Sequence, residues 1–383
     1  MRHIKSLFLL LSSCLIIGAQ PPADTSGWTK ATTTHRHGEY PKIHSDGRVW
    51  FQLKAPAAKL VQVRIIATNK IYDMQKDQDG VWNVVITPPG VGFQYHMFIV
   101  DGLEVTDPGS EPYYSNGIKT GYEGIASGED YYAIKPVPHG QVRQYWFFSK
   151  VTQTFRRMYI YTPPDYDANL KARYPVLYLQ HGAGEVEAEW THAGLANFIL
   201  DNQIAEKKAV PMIIVMNNGF ASRPGETAAT APGVARNFSA FEQMLIQEVI
   251  PEVDAKFRTI PDRDHRAMAG LSMGGMQTFQ IGLTHLDVFS HLGIFSGTPQ
   301  GASKPLDDIL AQGAALNKRL HVFWFGAGTN EERFINRQRE LRGLFEKAGI
   351  RATYYESEGT VHEFQTWRRC LNQFAPLLFR TAR

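Results

Sequence analysis

The sequence predicts an α/β fold preceded by a small all-β, immunoglobulin-like sandwich. Three observations predict it. Up to about residue 134 the chain carries short β-rich runs separated by turn signals, with no helical stretch between them. Residues 135–143 then hold two prolines and a glycine with little apolar content. After them, apolar runs alternate with helical periodicity, the pattern of a mostly parallel sheet covered on both faces.

Each element follows from its residues. In the first part, residues 49–53, 60–67, 81–87 and 93–100 are rich in β-branched and aromatic side chains and read as strands. Asp79-Gly80, Pro88-Pro89-Gly90 and Asp101-Gly102 mark the turns. In the second part, strands are expected at 174–179, 210–216, 265–269, 291–295 and 320–325, with another at 352–356. Helices are expected at 241–257 and 336–348, and the C-terminal segment is also helical in pattern. The expected organisation is therefore a sandwich over 20–134, a linker over 135–143 and an α/β domain over 144–383.

Residues 1–19 differ from the rest. Arg2 and Lys5 precede an apolar stretch from Leu7 to Ile17, which runs into Gly18-Ala19-Gln20. That is the charge, apolar core and small-residue cleavage site of a secretory signal peptide. Leu11-Ser12-Ser13-Cys14 also fits a lipoprotein signal, with Cys14 as the lipid-bearing residue. No later segment is long and apolar enough to span a bilayer. Cys370 is the one other cysteine, so no intramolecular disulfide is expected once the signal is removed, and core burial must supply stability.

At 383 residues, with 20% charged side chains and a net charge of +3, the composition is that of an ordinary globular protein. Its basic residues form no block, so nucleic acid is not an expected partner. No metal or other cofactor is expected, since His35 and His37 have no further ligands at suitable spacing.

The chemistry-bearing segment is His265-Arg-Ala-Met-Ala-Gly270-Leu-Ser272-Met-Gly274-Gly275. Gly270, Ser272 and Gly274 form G-x-S-x-G directly after an apolar strand and before a helix-capable stretch. A serine lifted above a sheet needs a strained turn, and small residues on both sides let strand and helix approach. This is the nucleophile elbow of an α/β-hydrolase. A serine hydroxyl attacks well only when a base takes its proton, so a base and an orienting acid must follow in the order Ser, acid, His. His362, on the loop after strand 352–356, holds the position of the base. The loop 326–332, after strand 320–325, offers Glu331 or Glu332 as the acid. Backbone N–H groups must meet the developing oxyanion, and Met273 and Ala183 are the expected donors. Ala183 lies in Gln180-His181-Gly182-Ala183-Gly184, a glycine-bearing turn closing an early strand.

Taken together, Tyr178 to Gly184, Gly270 to Gly275, Gly326 to Glu331 and His362 to Arg369 resemble the motifs of bacterial feruloyl and acetyl-xylan esterases of carbohydrate esterase family 1. These are grouped with esterase D and the antigen 85 mycolyltransferases. The likeness covers most of residues 140–383, and the N-terminal part is similar to the early-set, starch-binding-related modules that precede some of these domains. The resemblance implies Ser272 as nucleophile and His362 as base, and it favours Glu331, where the family's loop usually carries Asp. It implies an ester on plant polysaccharide or oligosaccharide as substrate, feruloyl arabinoxylan first and acetylated xylan as an alternative. Trp190, Phe238 and Trp367 are the residues expected to contact it. A siderophore esterase of the enterobactin-hydrolysing type joins the same two kinds of domain and is the second enzymatic expectation. A secreted glycan-binding protein is the non-enzymatic one.

Overall fold

The computed structural model describes residues 24–126, 128–226, 238–299 and 303–380. The expected signal segment 1–19, with Cys14, lies outside them.

An eight-stranded sheet organises the C-terminal part. Its strands are Gln141–Ser149 (β1), Thr154–Thr162 (β2), Val176–Gln180 (β3), Ile213–Asn217 (β4), Arg266–Leu271 (β5), His291–Phe295 (β6), Val322–Gly328 (β7) and Thr353–Ser357 (β8). They lie in the order β1-β2-β4-β3-β5-β6-β7-β8. The strands β3 to β8 pair in parallel, while β1 and β2 form an antiparallel hairpin that joins β4 at one edge.

Alternate side chains feed two cores. Met158, Ile160, Tyr178, Val215, Met268 and Phe325 face one layer of helices. Tyr159, Tyr161, Leu177, Leu179, Ala269 and Trp324 face the other, which is completed by the C-terminal helix Phe364–Phe374. Burial on both faces explains why these strands read as near-continuous apolar runs. Cys370 is fully buried in this second layer, as a small hydrophobe.

The expected elements shift at prolines. The strand expected from 174 begins at Val176 and the one expected from 210 begins at Ile213, because Pro175 and Pro211 cannot donate to the ladder. The helix expected over 241–257 runs from Ser239 to Lys256, widened into a π turn at Leu245–Val249 just before Pro251, which lacks the N–H a regular turn would use. The β1–β2 hairpin was not expected as strands. Its first strand begins at Gln141, inside the stretch read as linker.

Strands between Trp28 and Glu123 form two antiparallel sheets, of five and six strands, packed face to face. Val49, Phe51, Val63, Ile65, Val84, Phe98 and Tyr122 fill the space between them. Trp50 and Trp82 are buried.

This sandwich rests against the second face of the large sheet, where Phe93 and Tyr95 join the helix-covered core. The buried Arg368 guanidinium donates to both carboxylate oxygens of Glu123, at 3.0 and 2.9 Å. Two further contacts lead to the sheet's carboxyl rim: Tyr114 N–H donates to Glu189 (3.1 Å) and Asn116 N–H to the Gly184 carbonyl (2.7 Å). Among the described residues, no helix is long and apolar enough to cross a membrane.

Candidate active site

Ser272 follows β5 at the carboxyl rim of the sheet and opens the helix Ser272–Gln277. Its φ of +69° places an L-residue in the left-handed region, the strained turn that the sequence pattern requires. Gly274 shows why the neighbours must be small, since a Cβ there would lie 2.6 Å from the Gln180 carbonyl oxygen.

The rim brings three expected residues into one hydrogen-bonded chain. Ser272 Oγ donates to His362 Nε2 at 3.0 Å, and His362 Nδ1 donates to Glu331 Oε2 at 2.7 Å. Glu331, the last residue before the helix Glu332–Lys347, is 5% exposed, whereas Glu332 is exposed to solvent. The other Glu331 oxygen accepts from Gly328 N–H and from Ser296 Oγ, both at 2.9 Å. The glutamate's loop is pinned to the His362 loop: Asn330 N–H donates to the Thr360 carbonyl, and Gly359 N–H to Thr329 Oγ1.

Aromatic contacts fix the imidazole plane. Phe334 stacks on His362 with centroids 4.7 Å apart and 7° between the planes, and Trp367 meets it edge-on at 5.0 Å. Trp367 Nε1 also donates to Ser296 Oγ at 3.1 Å. Phe334 and Ser296 were missed on sequence. Phe334 lies three residues into the helix that follows Glu331, on the turn facing back to it, and Ser296 directly follows β6 at the rim where ligands bind in open α/β sheets.

Ala183 lies in the turn after β3 and lines a pocket of about 200 Å³ with Ser272, His362 and Trp367. Met273 packs its side chain into the core, while its N–H belongs to the first turn of the helix, where backbone donors have no intrahelical partner. The Ala183 turn is braced from both sides. Glu185 Oε2 accepts from Gly182 N–H at 2.8 Å. His181 is buried, its Nδ1 donating to the Gly182 carbonyl (2.8 Å) and its Nε2 accepting from Gly219 N–H (2.9 Å). From the sandwich, Asn116 sits so close over Gly184 that a Cβ there would fall 2.2 Å from its Oδ1.

Of the aromatics expected to contact substrate, only Trp367 lines this pocket. Trp190 is 1% exposed beneath the rim, its Nε1 donating to the Gln180 carbonyl at 2.8 Å. Phe238 is buried in the first core layer. Both expectations are corrected: these rings hold the scaffold and do not face the pocket.

Burial sets the charge state around the Ala183 turn. It pushes the Glu185 carboxyl up to about 8 and that of Glu189 up to about 7, and it lowers His181 to about 4. Glu185 binds its proton more tightly folded than unfolded. Its contribution to stability is thus complete below its ordinary value of 4.5 and is lost as pH rises through about 8. His181 acts with the opposite sign, losing stability as pH falls from 6.5 through about 4. Melting temperatures of wild type and Glu185→Gln between about pH 5 and pH 9 are therefore expected to converge or cross in the variant's favour as pH rises. Parallel curves would contradict a neutral Glu185.

Residues 149–378 match the family described as "Putative esterase". An endo-1,4-beta-xylanase/feruloyl esterase of Xylanibacter ruminicola is 37% identical over 355 residues, covering 89% of this chain and 46% of the relative, so the chain spans about half of that protein's length. A ferulic acid esterase structure from Anaeromyces mucronatus superposes with a TM-score of 0.57 at 23% identity, over 66% of this chain and 96% of its own. The enterobactin esterase of Shigella flexneri, solved in the presence of enterobactin, superposes with a TM-score of 0.66 at 16% identity, over 91% of this chain and 95% of its own. The last two show a shared fold, which for the Shigella protein extends over the sandwich. With the family match covering more than half of its residues, and the rim bearing a serine, a histidine and an acid in hydrogen-bonded sequence, the chain belongs to this esterase family.

Proposed function

We propose that the protein is a secreted serine carboxylesterase that removes feruloyl groups from arabinoxylan. The observation that carries the chemistry is the chain from Ser272 through His362 to Glu331, with bonds of 3.0 and 2.7 Å. His362 Nε2 takes the hydroxyl proton as Ser272 Oγ attacks the ester carbonyl. The N–H groups of Ala183 and Met273 receive the oxyanion of the tetrahedral intermediate. His362 then returns the proton to the departing sugar oxygen, leaving an acyl group on Ser272. Water enters, gives a proton to His362 and attacks the acyl carbonyl, and the free acid leaves as Ser272 regains its proton. Glu331 holds the imidazole tautomer throughout and stabilises the imidazolium without taking its proton.

The feruloyl substrate rests on the Xylanibacter relative, whose name pairs that activity with a xylanase. A polymeric wall substrate lies outside the cell, which agrees with the signal-like residues 1–19; a lipid anchor at Cys14 would serve the same location. In this reading residues 144–383 carry the chemistry and residues 20–134 flank it. The second reading, a siderophore ester, is favoured by the superposition on the enterobactin esterase over 91% of the chain.

A side-by-side screen of the purified protein against methyl ferulate, acetylated xylan and ferric enterobactin separates these readings. The highest kcat/KM is expected on methyl ferulate. A higher value on ferric enterobactin or on acetylated xylan would overturn the feruloyl assignment, and no turnover of any ester would favour a glycan-binding role.

A further inference from the structure

The pocket beside Ser272 has a wall that the hydrolytic chemistry does not use. Tyr95, from the sandwich strand Phe93–Val100, lines it together with Glu185 and with Glu363, the residue after His362. Tyr95 is 3% exposed and Glu363 2%. Edge-on contacts with Phe93 (4.9 Å), Tyr113 (5.8 Å) and Phe364 (6.4 Å) fix the phenol ring. Its hydroxyl nevertheless has no hydrogen-bond partner, and the same is true of Glu363 Oε2 and of Glu189 Oε2.

Buried polar atoms in folded proteins are nearly always paired, and leaving one unpaired opposes folding. Here such atoms come from both domains, the Tyr95 hydroxyl from the sandwich and Oε2 of Glu363 and of Glu189 from the α/β part. Glu363 is itself held by backbone N–H groups of Tyr95 and Phe364, which spans the domain boundary. The wall is therefore built from both domains and holds buried polar atoms without partners.

We infer that Tyr95 and Glu363 form a subsite that binds a hydroxyl group of the ester substrate, making Tyr95 of the sandwich a specificity-determining residue. A hydroxyl fits because it both donates and accepts, so one group satisfies a phenol and a carboxyl together. Charge agrees with this. Burial raises Glu185, Glu189 and Glu363, with Tyr113 the other titratable group beside the ring, so the wall is largely neutral near pH 7 and suits a neutral polar group better than a cation. The inference rests on the ester-hydrolase reading and deepens it. The hydroxyl comes either from the aromatic ring of the acyl group or from the sugar that leaves.

Tyr95→Phe keeps the ring and its packing and removes only the unpaired hydroxyl. Its melting temperature is expected to equal or exceed that of wild type. The kinetic test compares kcat/KM of both proteins on methyl ferulate, methyl 3,4-dimethoxycinnamate, feruloyl arabinose, acetylated xylose and p-nitrophenyl acetate, the last lacking any hydroxyl. For one hydroxyl-bearing ester, its ratio to p-nitrophenyl acetate is expected to fall roughly tenfold in the variant. A fall for methyl ferulate that the dimethoxy ester does not share identifies the ring hydroxyl. A fall confined to the two sugar esters identifies the sugar. Unchanged ratios throughout, as when a water molecule alone occupies the wall, would overturn the inference. So would an equal loss on every ester. If the wild type turns over acetylated xylose and p-nitrophenyl acetate but no feruloyl ester, the feruloyl reading fails, while the two acetyl esters still decide the subsite. Glu363→Met, which keeps the side chain's length and removes its hydrogen-bonding atoms, is expected to lower the same ratio as Tyr95→Phe.

Discussion

Ser272→Ala is expected to lower kcat on any ester by roughly ten-thousand- to million-fold, the cost of removing a nucleophile whose partners then have nothing to activate. The residual rate is that of water acting in a site that still binds and polarises the carbonyl. The fold should survive. Alanine replaces serine at the same positive φ, and the helix begins at Ser272 with no side-chain capping bond to lose. A melting temperature near that of wild type, together with lost turnover, separates chemical from structural failure. Turnover within tenfold of wild type would remove Ser272 from the mechanism.

The second large effect is expected at Glu331, through geometry more than charge. In Glu331→Gln the oxygen facing Gly328 N–H and Ser296 Oγ stays a carbonyl, because both neighbours are donors. The amide NH2 must then face His362 Nδ1. That forces the opposite tautomer on the imidazole and puts a proton on Nε2, where it can no longer accept from Ser272. A loss of about 10³- to 10⁴-fold in kcat is expected at unchanged size and shape. Glu331→Asp keeps the charge but retracts the carboxylate by about one bond length, ~1.5 Å. The pinned loop cannot follow, so this variant is expected to fall between wild type and Glu331→Gln. Glu332→Gln, on the exposed side of the same turn, should stay within about twofold of wild type. Equal kcat for wild type and Glu331→Gln would show that another group orients His362.

Parts of this site were legible because steric necessity is written into residue identity. An L-residue at positive φ beside a glycine whose Cβ would strike the Gln180 carbonyl leaves few alternatives to the G-x-S-x-G string at 270–274. The order Ser, acid, His followed from the fold that the elbow implies, and it left only the choice between adjacent glutamates. That choice needed geometry, because two neighbouring residues at a helix start point in different directions, one into the core and one to solvent.

Other parts were hidden for physical reasons. Trp190 and Phe238 have the composition of ligand contacts, but whether a ring faces core or cleft is decided by packing partners far away in sequence. The β1–β2 hairpin escaped because its first strand begins within a proline- and glycine-bearing stretch that read as linker. Of the sandwich's eleven described strands, four were visible from β-branched and aromatic runs. That one of their residues, Tyr95, reaches the pocket was not, since it depends on how two separately folded sheets meet.

The central claim is that Ser272 is a hydroxyl activated by His362 at the carboxyl rim. Its most direct test is reaction with a fluorophosphonate, which phosphonylates activated serines, followed by mass spectrometry of the digested protein. The expected result is a single adduct on the peptide carrying Ser272, lost in Ser272→Ala and much slowed in Glu331→Gln. An adduct on a different serine, or none on a folded protein that still hydrolyses esters, would contradict it.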